Sequence, residues 1–125
     1  MLQKRNRLRR SSDVRQVRQR GQSWRHPLAV LIVTTNNCDV SRFAFAVSRG
    51  VGKAVMRNRA KRLLREGIRL HLTEIREGYD CLFVARSQTA SASFGEVETA
   101  VLNLLHRANL CKPDDSRDAE GVSFP

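Results

Sequence analysis

At 125 residues the chain has room for one modest domain, and with 41% hydrophobic but only 6% aromatic residues its core must be aliphatic. The formal net charge of +11 is uneven: residues 1–65 carry 17 Lys and Arg against Asp13 and Asp39 alone, the remainder 6 against 10 acids, which points to a front half that binds a polyanion. Three cysteines with no C-x-x-C pair fit neither a disulfide framework nor a zinc site, and no apolar run approaches membrane-spanning length, so a reduced, cytoplasmic protein without a membrane partner is expected.

In chain order, residues 2–10, LQKRNRLRR, read as a basic arm too polar to pack, with Leu8 as its one anchor. The arm differs from an organelle transit peptide in running into a capped helix. Ser11 or Ser12 is the expected N-cap, Asp13 favours the first turn, and the helix ends at Arg20 with Gly21 as its C′ residue. Val14 and Val17 form its apolar stripe. Trp24 to Pro27 is expected to be a connector, and LAVLIVTT over residues 28–35 is a β-branched run suited to a central strand. After a turn at Asn36, Asn37 and Asp39, the segment Arg42–Ser48 alternates Phe43, Phe45 and Val47 with Ala44, Ala46 and Ser48. One face packs; the other suits a cleft floor or the close approach of a helix.

Gly50 and Gly52 lead into the stretch that organises the chain, a helix over Gly52–Leu72. At about 100° per residue, Met56, Ala60, Leu63, Leu64, Gly67 and Leu70 gather on one side and Arg57, Asn58, Lys61, Arg62, Arg65 and Arg69 on the other. Arg57, Lys61, Arg65 and Arg69 follow at i, i+4, a ridge of like charges that a bound polyanion neutralises. A solvated basic face would be a sufficient account of one or two lysines. The dominance of arginine, whose planar fork fits phosphate oxygens, favours nucleic acid. Beyond it, Glu77-Gly78 closes the helical region, Tyr79–Ala85 is a strand, and Ser93 with Glu96 forms a capping box for a helix striped by Phe94, Val97, Val101, Leu104 and Leu105. Residues 1–111 make a single domain and 112–125 a disordered acidic tail.

The expected fold class is α+β, a two-layer sandwich of about three helices on a small central sheet, in the order α-β-β-(β)-α-β-α. A strand–helix–strand passage crosses right-handed by default. No protein-borne catalytic site is expected: the carboxylates fall singly, His26, His71 and His106 are scattered, and phosphate-loop, H-E-x-x-H and G-x-S-x-G motifs are missing. His71, near the apolar stripe, reads as a packed histidine.

The combination of KRNRLRR…D-x-x-x-V…G, a strand ending FAVSRGVGKAV, and MRNRAKRLLRE closely resembles the protein subunit of bacterial ribonuclease P, from about Lys4 to Leu110. The resemblance implies that an RNA partner carries out a magnesium-dependent cleavage, removing the 5′ leader of precursor tRNA, while the protein supports that RNA and holds the leader. It places Arg57, Asn58, Arg59, Lys61, Arg62 and Arg65 against the catalytic RNA, with Lys53, Arg5 and Arg7 as further RNA contacts. It implies a left-handed crossover around the central helix, against the default. It also implies a leader cleft lined by Val14, Arg18, Val30 and Ile32. Relatives commonly carry aromatics there, so stacking, at about 1–3 kcal/mol per base, is weakened here. The alternative is a stand-alone basic RNA-binding or ribosome-associated protein, which explains the charge but not the motif. An autonomous nuclease lacks its carboxylates, and DNA is not an expected partner.

Overall fold

The structure, a computed structural model, describes residues 2–112. Three helices and four strands follow in the order α1 (Ser11–Arg20), β1 (Gln22–His26), β2 (Ala29–Thr35), β3 (Arg42–Val47), α2 (Ala54–Leu70), β4 (Tyr79–Ala85) and α3 (Phe94–Arg107). The strands form one sheet ordered β1-β2-β4-β3, in which β3 and β4 are parallel and the other pairs antiparallel. The expected α+β architecture is present, with the optional third strand realised. Leu31, Val33, Phe43, Cys81 and Phe83 face the main core, where Leu64 and Ile68 of α2 and Val101, Leu104 and Leu105 of α3 cover them. Helix α1 lies on the opposite face, where Val17 packs on Leu82 with Val14 and Ile32 beside them, so the two-layer body carries a partial third layer.

Several local expectations are corrected. The connector expected from Trp24 is largely strand β1, whose polar sequence QSWRH becomes extended by pairing Trp24 with Leu31 and Arg25 with Val30. The basic arm is not too polar to pack. Leu2, Asn6 and Leu8 are buried, the Leu8 amide donates to the Phe43 carbonyl at 2.8 Å, and Asn6 Nδ2 donates to the Ser41 carbonyl at 2.9 Å. The arm thereby covers the open edge of β3, whose backbone groups would otherwise template other strands. Arg10, not a serine, occupies the α1 N-cap, without a side-chain bond.

Gly21 does end α1, but in extended backbone at φ −76°, not in the left-handed region. Its requirement is space: a Cβ there would lie 2.6 Å from Ile32 Cγ2 and the Val17 carbonyl oxygen and 2.8 Å from the Val33 carbonyl oxygen.

In α2, Ala60, Leu64 and Gly67 are buried as expected, with Ile68 completing the stripe, but Met56 and Leu70 are 38% and 47% exposed. They sit in the first and last turns of a 17-residue helix, about 25 Å long, whose middle covers the sheet. The Ser93–Glu96 capping box caps α3 as expected: Glu96 N donates to Ser93 Oγ at 3.1 Å and Ser93 N to Glu96 Oε1 at 2.9 Å. Cys81 is buried, and desolvation pushes its thiol far up; Cys111 is half-buried and Cys38 exposed. Lys112, placed in the tail by the sequence, belongs to the folded body: its amide donates to the Glu74 carbonyl at 2.7 Å and its ammonium meets Glu77 at 2.8 Å. The acidic tail itself, from residue 113, lies outside the described residues.

His71 is a packed histidine that clips α2 to α3, its Nε2 2.7 Å from Glu98 Oε2 and its Nδ1 3.1 Å from Glu74 Oε2. The bond to Glu98 raises its pKa, against the desolvation of the ring, with Glu74 adding to the rise.

This packing makes two substitutions informative. Gly21→Ala loses about 2–3 kcal/mol in urea unfolding, because two of the three clashing atoms are backbone. The stabilisation from protonated His71 is complete below the unfolded imidazole value, about 6.5, and is lost as pH rises through the higher folded value. Urea midpoints measured from about pH 6 to pH 9 therefore fall more steeply in the parent chain than in His71→Gln.

Candidate nucleic-acid interface

Helix α2 presents its charge because its other side is committed to the core. Burying Leu64 and Ile68 contributes about 1.5–3 kcal/mol each, against a few tenths for each like-charge pair at i, i+4. Arg57, Asn58, Arg59 and Arg62 are exposed and Lys61 and Arg65 half-buried. Among the described residues, Arg57, Lys61 and Arg62 have no carboxylate partner: the ion pairs are those of Arg42, Arg69, His71 and Lys112. Three adjacent cations are thus left for an external anion.

The expected ridge is shorter than its spacing suggests. Arg69 hydrogen-bonds Glu66, a pairing that raises the arginine pKa and lowers that of the carboxyl, so the last step of the ridge is neutralised within the helix. Arg65 lays its guanidinium 5.5 Å from the Phe45 ring centroid, and Phe45 stacks on Phe83 at 6.1 Å, which fixes where that charge stands. Arg59 Nε donates to the Ala90 carbonyl at 2.8 Å, tying α2 to the turn before α3. Lys53 is exposed at the α2 N-cap. The arm residues separate: Arg7 donates from Nε to the Leu2 carbonyl at 3.0 Å and lines a cavity with Arg65, whereas Arg5 lines another recess with Asn6 and Ser41.

Two cavities lie on the α1-facing side of the sheet, and the residues expected to line one cleft are divided between them. One, of 450 Å³, has Val14, Ala44, Ala46 and Leu82 as its floor and Arg9 and Arg65 at its wall. The other, of 470 Å³, contains Val30 and Ile32 with Val84. The small face of β3 does serve as a cleft floor, as its alternation suggested. Arg18 lines neither cavity; next to the inward Val17, it stands on the exposed flank of α1. Leu82, Val84 and Arg86 were legible in principle from the alternation of β4, and Arg25 was concealed by the missed strand β1.

The face is held in register by a buried acid. Arg42 grips Asp80 with Nε at 2.9 Å and Nη2 at 2.8 Å, Asn36 Nδ2 adds a bond to Asp80 Oδ1 at 2.9 Å, and Arg42 Nη1 lies 3.9 Å from Asp13 of α1. The hydrogen bond to Asp80 raises the Arg42 pKa. This network consumes one arginine and ties α1 to the sheet beside the cleft.

A family model described as Ribonuclease P matches residues 2–109. The chain is 40% identical over 108 residues to the ribonuclease P protein component of Clostridium botulinum (strain Langeland), covering 86% of this chain and 97% of the relative. It is 42% identical over 105 residues to that of Alkaliphilus oremlandii, covering 84% and 92%. Among solved structures, the RNase P protein from Thermotoga maritima superposes with a TM-score of 0.73 at 32% identity, covering 81% of this chain and 96% of that one. A Staphylococcus aureus RNase P protein mutant with defective mRNA degradation activity superposes at 0.79 with 25% identity, covering 86% and 91%.

Arg57→Ala combined with Arg62→Ala is expected to weaken RNA association and to reduce the log–log salt slope by about 1.4–1.8, the share of two phosphates no longer neutralised, with unfolding midpoints unchanged. Filter binding across a salt series checks the slope, and urea titration checks the midpoints.

Proposed function

Since this chain belongs to the ribonuclease P protein family, whose function is processing of the tRNA 5′ leader, we propose that it acts by binding on two sides. The cationic face of α2 meets the catalytic RNA through Arg57, Asn58, Lys61, Arg62 and Arg65, with Arg59, Lys53, Arg5 and Arg7 contributing from its borders. The cleft on the α1-facing side of the sheet holds the leader over Val14, Val30 and Ile32, with Arg18 at its flank. The observation that carries this reading is the set of arginines and lysine on α2 left without carboxylate partners among the described residues, while the middle of the other face of that helix, Ala60, Leu64, Gly67 and Ile68, is buried in the core.

The bond cleavage itself is assigned to the RNA. Among the described residues no three His, Cys, Asp or Glu side chains gather as metal ligands. In this reading magnesium acts from the RNA partner, whose phosphates can hold it. The protein's part is to neutralise phosphate repulsion between two RNAs and fix the leader relative to the scissile bond, a gain of proximity and not of chemistry. No helix among the described residues is long and apolar enough to cross a membrane, and the cytoplasm is the proposed location.

Reconstitution tests this. Added to its cognate ribonuclease P RNA at low magnesium, the protein raises the rate of precursor-tRNA cleavage, and the RNA-free protein gives no product. Tight binding to ribosomal RNA with no stimulation of that ribozyme favours the stand-alone RNA-binding alternative. Product from protein freed of nucleic acid overturns the assignment of chemistry to the RNA.

A further inference from the structure

The final residues of the folded body pair beside the end of α2. The Arg76 amide donates to the Leu110 carbonyl at 2.7 Å and the Lys112 amide to the Glu74 carbonyl at 2.7 Å, with Ile75 opposite Cys111 in an antiparallel bridge. Because that pairing is antiparallel, the chain at Lys112 runs back past Thr73 and Leu72, towards the C-terminal end of α2. It is heading for the cationic helix.

Beyond Lys112 the sequence holds four carboxylates, Asp114, Asp115, Asp118 and Glu120, against Arg117 alone. The acids near α2 within the folded body are already taken, Glu66 by Arg69 and both Glu74 and Glu98 by His71. Of the other α2 cations, Arg65 lies on Phe45 and Arg59 donates to the Ala90 carbonyl, while Arg57, Lys61 and Arg62 have no carboxylate partner among the described residues. Reach decides which acids can meet them. From Leu70 back to Lys61 the helix spans about 14 Å, and back to Arg57 about 20 Å. At no more than about 3.5 Å per residue, Asp118 and Glu120 lie within about 21 Å and 28 Å of Lys112, whereas Asp114 and Asp115 lie within about 7 Å and 11 Å. The second pair of acids spans the distance; the first stops short.

Resting on the reading of α2 as the RNA face, we propose that Asp118 and Glu120 dock on Lys61 and its neighbours Arg57 and Arg62 in the RNA-free protein, so that the chain's own acidic segment occupies that face until RNA displaces it. Each surface ion pair is weak and screened by salt, but attachment to the same chain holds the carboxylates at an effective concentration on the order of millimolar. Two carboxylates relieve the repulsion along α2, and a run of phosphates engaging the whole face outcompetes them. Occupancy lowers the apparent affinity of every RNA by the same factor. Weakly held RNAs then fall below half-saturation at a protein concentration where a tightly held partner stays bound.

The test uses the full chain. Zero-length carbodiimide coupling, which joins a carboxylate to an ammonium in contact with it, is expected to link Lys61 to Asp118 or Glu120 in the RNA-free protein, as read by peptide mass spectrometry. The link disappears in about 0.5 M salt and on saturation with cognate ribonuclease P RNA. In filter binding at low salt, Asp118→Asn with Glu120→Gln tightens cognate and ribosomal RNA alike by about fivefold and steepens the log–log salt slope. Asp114→Asn with Asp115→Asn removes the same charge and changes either affinity by less than about twofold. Equal tightening by the two pairs reduces the effect to net charge and overturns the docking. So does the lack of a Lys61 link in protein whose Lys112–Glu77 ion pair, at 2.8 Å, is linked. A link to Lys4 without one to Lys61 places the acids on the basic arm and overturns it as well. A Lys61 link that persists under saturating cognate RNA overturns instead the reading of α2 as the RNA face, which the variants alone do not.

Discussion

In the β3–β4 pair, Phe45 stands beside Phe83 on one face of the sheet and Ala46 beside Val84 on the other. Because side chains alternate with period 2, slipping either strand by one residue would turn the aromatics into the cleft and the alanines into the core. The register therefore decides two things together. It gives α2 and α3 a large apolar surface to bury, and it leaves a low floor on the α1 side. Asp80, buried near the start of β4 and held by Arg42 and Asn36, sets that register from outside the apolar pairs. A slip would strand the carboxylate away from its guanidinium, and a buried charge without its partner is strongly destabilising.

The electrostatics of α2 follow from the same arrangement. Apart from Arg69, its arginines and Lys61 survive folding without a carboxylate partner among the described residues, because the aliphatic stripe outweighs their mutual repulsion and the nearby acids are committed to other cations. Glu66 serves Arg69, Glu98 and Glu74 serve His71, and Asp13 and Asp80 serve Arg42. Arg65 belongs to both surfaces: it is anchored on Phe45, whose stacking partner Phe83 is fully buried, and it lines the cavity over Ala44 and Ala46. The helix face and the cleft are therefore one continuous electropositive surface around the β3 edge. The arm completes it, covering that edge while carrying Arg7 and Arg9 to the same mouth.

Much of this was legible from local periodicity. The three helices, strands β2, β3 and β4, the capping box at Ser93 and the two-faced character of α2 each depend on spacing within one element, and each folds as its spacing indicates. Strand β1 was not legible, since QSWRH has neither alternation nor β-branched residues and is extended because Trp24 pairs with Leu31 and Arg25 with Val30. The burial of Leu2 and Asn6 was hidden for the same reason, their partners lying on and before β3. Gly21 was identified as a stop for the right position and the wrong cause: its crowding comes largely from β2, not only from the helix it ends.

By itself the sequence determined a single basic α+β domain, the helix that carries the cationic face, and the motif that ties it to an RNA-processing family. Only the tertiary structure decided which arginines are open to an external anion, since Arg59 and Arg42 are spent on partners far away in the chain, whereas Arg69 pairs with Glu66 one turn back on its own helix. It alone brought Arg25 and Arg86 to the same cavity. The physical reason is that periodicity encodes which way a side chain faces, whereas the partner it meets there depends on strand order and register, which are settled between segments far apart in the chain.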